Sequence, residues 1–470
     1  MIDDFLINNE KGKYLYNSFA KNMPICDYHC HLSAKDIYEN RNIQNITELW
    51  LKYDHYKWRV MRSCGCSEEY CTGQASDRYK FLVYAKCLQL AVGNPIYTWS
   101  NMELEKYFGI SDYLNENNAN DIYNIANDFI KSNNFTPQSL IKISNVKIIC
   151  TTDDPIDDLH YHILLQKFND FGCKVYPSFR PDNALNIEKD GYVSYIKKLG
   201  AVCGTTIKSF DDIVKCLKLR ACFFNRNGCK IADHAFSYMP FVQVSKKELN
   251  KIFISAMNHK RLTKIQIDSY KTAIMHELGK IYYSLNWAME LHIGVMRNNN
   301  TRMYNSVGVD TGFDSVNDDN NAKNLSKFLD SLDVEEKLPK TVLFNLNDKD
   351  NIVFATMLGN FQSQGSYSKM QYGPAWWFLD NYNGIFNHLK YLSNLGVLGK
   401  FIGMETDSRS FTSFVRHDYF RRILCDYIGN LVEKGFYEND DKMLEKIITD
   451  ICYYNAVDYF NFDMEQWYGT

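Results

Sequence analysis

Eight short apolar runs alternate with helical stretches along this chain, and that alternation constrains the fold more than anything else in the sequence. The runs span residues 25–29, 146–151, 174–179, 230–233, 287–293, 341–345, 370–375 and 401–404. Strands separated by helical patterns form parallel sheets, and eight such units predict a closed (β/α)8 barrel, an α/β fold. Polar clusters follow several runs: Thr151-Thr-Asp-Asp-Pro155, Arg180-Pro-Asp182, Asp233-His-Ala235 and Thr406-Asp-Ser-Arg409. In such a barrel the residues after each strand build the active site.

Two spacings are irregular. The stretch 33–143 reads as a helical insertion after the first strand, so the expected division is 1–32 as the first barrel segment, 33–143 as the insertion and 144–470 as the rest of the barrel. Residues 298–319 are rich in Asn, Asp and Gly and predict a long functional loop. Residues 440–462 predict an amphipathic helix that closes the barrel.

The first run ends in Asp27-Tyr-His-Cys-His31. On a strand, residues two apart face the same side, so His29 and His31 can converge on one ion. The pair His160 and His162 lies in a helical pattern, where residues two apart diverge. A third ligand is available in Asp407, because the first and last strands of a closed barrel are neighbours. Two imidazoles and a carboxylate hold one divalent cation, with zinc preferred and manganese an alternative. His292, at the end of the fifth run, is open between a ligand, an acid/base group and a core histidine.

Arginines also stand after strands. Arg180 and Arg409 suit the bidentate grip of a carboxylate, which points to an anionic substrate. Arg416 is open between a substrate contact and an anchor for the last helix. Asp54-His-Tyr-Lys-Trp-Arg59 can bring His55 and Tyr56 over the barrel mouth, or form an exposed helix start capped by Asp54.

Composition narrows the classes. Fifty-three basic residues offset 56 acidic ones, with no basic stripe for nucleic acid and no run long enough to span a membrane. Fourteen scattered cysteines and no signal-like N-terminus predict reduced thiols and a cytoplasmic protein. The high aromatic content, 15%, allows a homo-oligomer.

These motifs together resemble the uronate isomerase (glucuronate isomerase) family of the metal-dependent amidohydrolase superfamily. The resemblance runs through Gly93-Asn-Pro95, Arg297-Asn-Asn-Asn-Thr-Arg302, Asp310-Thr-Gly-Phe-Asp314, Trp376-Trp-Phe378 and Arg416-His-Asp-Tyr-Phe-Arg-Arg422, besides the segments above. It departs from the family pattern at Ala34 and Val309, where proline is expected. It implies a barrel of the metal-dependent hydrolase type and an aldose–ketose isomerase of D-glucuronate and D-galacturonate. It maps the metal ligands onto His29, His31 and Asp407, and the catalytic or substrate-contacting positions onto His55, Tyr56, Arg180, His292 and Arg409. Asp407 is the expected proton carrier, and Arg416 and Trp376 are further candidate substrate contacts. The sixth run carries no histidine, and the fourth offers His234 but no lysine to bridge two metals, so a two-metal hydrolase is disfavoured against a single divalent ion. A mononuclear hydrolase and a non-catalytic uronate-binding barrel are the competing readings.

Overall fold

A computed structural model describes residues 4–168, 171–365 and 367–462. Seven parallel strands follow one another: β1 (Ile25–Asp27), β2 (Val146–Cys150), β3 (Lys174–Tyr176), β4 (Ile231–Phe236), β5 (Ala288–Ile293), β6 (Lys340–Asn345) and β7 (Met370–Tyr372). β1, β2 and β3 pair in that order, as do β4, β5, β6 and β7. Phe179 bridges the two groups, pairing with Asp153 on one side and Ala232 on the other. The strands read as unbroken buried runs rather than alternating ones, because helices cover the outside and side chains fill the inside.

The expected eighth strand is the exception. Residues 401–408, buried except for the half-buried Asp407, form no regular strand. Gly403 adopts φ +76°, and a Cβ there would run into the carbonyl of Ile451. That left-handed residue breaks the extended backbone that a ladder needs. The seam nevertheless joins: Asp407 N donates to His29 O at 3.1 Å and His31 N to Ser408 O at 2.9 Å.

Strand periodicity decides which side chains enter the barrel. Glu290 and His292 share one face of β5, while Met289, Leu291 and Ile293 face the other. Asp27 and His29 are fully buried charged or polar groups on the inward side of the first segment. On β4, Asp233 points in and its neighbour His234 points out. His234 Nε2 lies 3.0 Å from the Tyr282 hydroxyl, in the layer between sheet and helix. His234 is therefore a core histidine.

Helices fill residues 34–143, among them His55–Ser63 and Pro95–Phe108. Asp54 caps the former, accepting from the backbone of Tyr56 at 2.9 Å and Lys57 at 3.1 Å. The segment expected as a long loop holds a helix, Thr301–Val307, and a two-stranded ribbon pairing Val295–Met296 with Ser315–Val316. Near the C-terminus, Asp441–Thr449 runs through a π-helical turn into Asn455–Phe460. Phe460 packs on Tyr28 with ring centroids 5.0 Å apart, so this last helix lies against the segment that continues β1.

Candidate active site

The carboxylate of Asp27, inside the barrel, builds the seam. Its Oδ1 accepts from Thr406 N and its Oδ2 from the Thr406 hydroxyl, both at 2.7 Å. This fixes the residue before Asp407. Asp407 takes φ +45°, a left-handed conformation that Asp tolerates better than most residues. Its side chain then turns toward β1.

His31 Nε2 lies 2.9 Å from Asp407 Oδ1, and His29 Nε2 lies 3.4 Å from the same oxygen. One ligand atom from each of the three residues falls within 4.8 Å of the others. The set fits a divalent ion by its chemistry: two imidazole nitrogens and one carboxylate oxygen, on the rigid ends of two barrel segments. Outer groups orient it. The indole Nε1 of Trp376 donates to Asp407 Oδ2 at 2.7 Å, and Glu290 Oε2 lies 3.2 Å from His29 Nδ1. Burial pushes the Glu290 carboxyl up, against the opposing pull of His29.

A second trio, His29, Asp233 and His292, also brings ligand atoms within that range. It is already charge-balanced. Arg180 Nη1 pairs with Asp233 Oδ2 at 2.8 Å and His292 Nδ1 with Asp233 Oδ1 at 2.8 Å. Burial disfavours a charged Asp233, but Arg180 and the two imidazoles outweigh it and hold its carboxyl well below the usual range. A fixed guanidinium at that distance opposes a second cation. His292 is pinned between the Phe344 ring, stacked at 4.0 Å, and Trp376 at 4.7 Å. Phe344 belongs to β6, the strand whose lack of histidine disfavoured a two-metal site.

A cavity of about 430 Å3 opens over these groups, lined by His29, His31, His55, Arg180, His292, Arg297, Trp376, Asp407 and Arg409 among others. His55 enters it from the helix His55–Ser63, and burial, more than its charged neighbours, lowers its pKa. It is therefore neutral near pH 7. Tyr56 stacks on His55 at 4.8 Å but faces the neighbouring cavities rather than this one.

The arginines divide. Arg409 Nη2 lies 3.3 Å from Asp310 Oδ2, and Arg297 Nη1 lies 3.6 Å from Asp310 Oδ1. These loosely held, partly exposed guanidiniums face the cavity together. Arg180 is committed to Asp233 and, through Nε at 2.9 Å, to Asp182. Arg416 is not in the cavity. It is 4% exposed, bound to Asp380 through Nε at 2.8 Å and through Nη2, and lies over the Trp99 ring. Its reading as a substrate contact gives way to an anchor between the helix Val415–Glu433 and the segment after Trp377. Of the residues expected to bind metal or react, His29, His31, Asp407, His292 and His55 come together.

Sequence reasoning did not assign Arg297, Asp310, Asp233 or Glu290 to the site. Their signal was present: each stands on or just after a strand, or in the Asp-Thr-Gly-Phe-Asp segment. Which of them faces inward depends on strand register, which the sequence leaves open.

Comparison with known proteins follows the same line. A family model for glucuronate isomerase matches residues 1–460. A uronate isomerase from Caldanaerobacter subterraneus subsp. tengcongensis is 52% identical over 459 residues, covering 98% of each chain. One from Clostridium acetobutylicum is 49% identical over 460 residues, again covering 98% of each. Among solved structures, uronate isomerase from Thermotoga maritima superposes with a TM-score of 0.92 at 33% identity, over 97% of this chain and 99% of that one. Glucuronate isomerase from Caulobacter crescentus shares the fold with a TM-score of 0.91 at 23% identity, over 100% and 98%.

Proposed function

Because the chain belongs to the glucuronate (uronate) isomerase family, we propose that it interconverts D-glucuronate with D-fructuronate and D-galacturonate with D-tagaturonate, by proton transfer through an enediol. The observation that carries this reading is the joint placement of His29, His31 and Asp407 under a cavity whose rim holds Arg297 and Arg409. One end suits a carbonyl and its neighbouring hydroxyl, the other a carboxylate. A divalent ion, zinc or manganese, held by His29, His31 and Asp407 would polarise the carbonyl and stabilise the negative charge that develops on it.

The protein's own groups do the rest. Arg409 and Arg297 take the uronate carboxylate, displacing their shared pairing with Asp310. Asp407, adjoining the reacting carbons, removes the C2 proton of the aldose and returns it to C1. Neutral His55 moves the second proton between the two oxygens, with the Tyr56 ring stacked behind it. Trp376, through its hydrogen bond to Asp407, keeps the carboxylate aimed. Arg180 acts through Asp233 and His292 rather than on the substrate. No helix among the described residues is long and apolar enough to cross a membrane, and the cytoplasm is the compartment this reading assigns.

The test is direct. Protein loaded with zinc or manganese is mixed with D-glucuronate or D-galacturonate, and the products are followed by 13C NMR. Ketouronate resonances growing to an equilibrium mixture are expected. No conversion of either sugar with either metal would contradict the proposal.

A further inference from the structure

The helix His55–Ser63 delivers His55 at one end, and at the other it runs into Cys64-Gly-Cys66, which takes no part in the isomerase chemistry. Gly65 adopts φ +79°, the left-handed conformation that commonly closes a helix. The Cys64 amide donates to Val60 O and Met61 O, and the Cys66 amide reaches back to Met61 O at 3.2 Å. This turn sets Cys66 against the helix Asp77–Leu88. The sulfurs of Cys66 and Cys87 lie 3.2 Å apart. Both are free thiols, as is Cys64, whose Sγ lies 3.9 Å from the Cys87 carbonyl oxygen.

The paired sulfurs differ in access. Cys66 is half-buried, whereas Cys87 is 3% exposed. Burial, and after it the Cys66 thiol, pushes the Cys87 thiol up, so Cys87 stays protonated near neutral pH. An accessible thiol with a second thiol in contact behind it is the arrangement that oxidises to a disulfide before the sulfur can be oxidised further. A disulfide needs about 2.05 Å between its sulfurs. Closure therefore takes about 1 Å of sulfur movement, within the reach of side-chain rotation. The helix ahead of the pair is also tied to the site. Arg59 Nη1 donates to Asp314 O at 2.8 Å and Arg62 Nη1 to Thr311 O, so this helix holds the segment that carries Asp310.

We propose that Cys66 and Cys87 are a modification site, where a peroxide closes a disulfide that ties the helix bearing His55 to the helix Asp77–Leu88. The Cys66 thiolate attacks one peroxide oxygen. The O–O bond breaks, and the departing hydroxide takes up the proton that Cys66 gave up, forming water. Cys66 then carries a sulfenic acid. The Cys87 sulfur attacks the Cys66 sulfur, the S–O bond breaks, and the hydroxyl leaves as water with the Cys87 proton. Two thiols lose two electrons and two protons, and one peroxide becomes two waters. A thiol reductant reopens the bond by exchange. Joining residues 66 and 87 restricts the unfolded chain and so stabilises the helical insertion.

In the test, the full chain is treated with hydrogen peroxide, blocked with N-ethylmaleimide before unfolding, digested without reductant and analysed by mass spectrometry. The expected product is a peptide pair joined through Cys66 and Cys87, two hydrogens lighter than its reduced parts and lost on addition of dithiothreitol. Cys64→Ser, at an exposed position, keeps the bridge, and Cys66→Ser loses it. The urea midpoint of the oxidised wild type rises by about 0.5 M and returns with dithiothreitol, whereas Cys66→Ser shows no such rise. Both thiols recovered alkylated, Cys66 bridged to Cys64 or Cys71 instead, or a Cys66–Cys87 bridge that leaves the midpoint unmoved would overturn the proposal.

Discussion

Asp27 lies beneath the site, and replacing it tests whether the seam is what positions Asp407. In Asp27→Ala, the Thr406 amide and hydroxyl each lose a 2.7 Å hydrogen bond to a carboxylate with no solvent exposure, and His417, 3.5 Å away, loses its acid neighbour. A hydrogen bond to a charged group contributes about 1.5–3 kcal/mol. The amide left behind is buried and cannot turn to water. The two bonds together bring the expected loss to about 3–5 kcal/mol, the range found when one member of a buried charged network is removed. Against a total stability of about 5–15 kcal/mol, that is a large fraction. Asp27→Asn keeps one acceptor and costs about half as much. Urea unfolding monitored by tryptophan fluorescence gives the stability change, and titration with zinc in the presence of a competing chelator gives the metal affinity. Both should fall together, because the hydrogen bonds that stabilise the seam also place Asp407 opposite His31. A loss below about 1 kcal/mol, or full destabilisation with unchanged zinc affinity, would refute the link between seam and site.

Other expectations follow from the same geometry. Asp407→Asn should lower kcat on the order of a thousandfold, measured as ketouronate formation, and solvent deuterium should enter the product at C1 or C2 in the wild type. Arg409→Lys should raise KM for uronates about tenfold with a smaller effect on kcat, since a point charge replaces a two-pronged grip. Acid should destabilise the fold through its buried histidines. Burial lowers the pKa of His162 to about 4 and that of His388 to about 3, both under the unfolded value of about 6.5. The unfolded chain therefore takes up these protons first, and stability present above pH 6.5 declines as pH falls toward about 4. His388→Gln should flatten that slope by about 1 kcal/mol per pH unit in urea midpoints taken between about pH 6 and 4.5.

Much of this site was legible in the sequence because strand chemistry is local. The spacing of His29 and His31 and the apolar run before them already imply a chelate, and closing a barrel brings Asp407 alongside. His55 is a mixed case: Asp54 caps its helix and His55 lines the cavity, but the helix start is half-buried rather than exposed and Tyr56 faces the neighbouring cavities. Other features were hidden because they depend on register and on backbone departures. Gly403 turns the expected last strand into an irregular segment, and only the three-dimensional path shows that Asp27 and Thr406 repair the seam. Arg416 and Arg297 illustrate the other gap. Arg416 stands in the first turn of the helix Val415–Glu433 and Arg297 just after Val295–Met296; one is buried against Asp380 and the other faces the cavity beside Arg409. Sequence distinguishes them only once the partners are known. Phe344, stacked on His292, gives the absent sixth-strand histidine a physical meaning: an aromatic wall stands there instead of a ligand.

The most direct measurement is metal stoichiometry by inductively coupled plasma mass spectrometry on wild type, His31→Ala and Asp407→Ala, each dialysed against dilute zinc. One equivalent of zinc in the wild type and almost none in either variant is the expected result. Two equivalents in the wild type, or one retained by both variants, would contradict a single cation held across the barrel's seam.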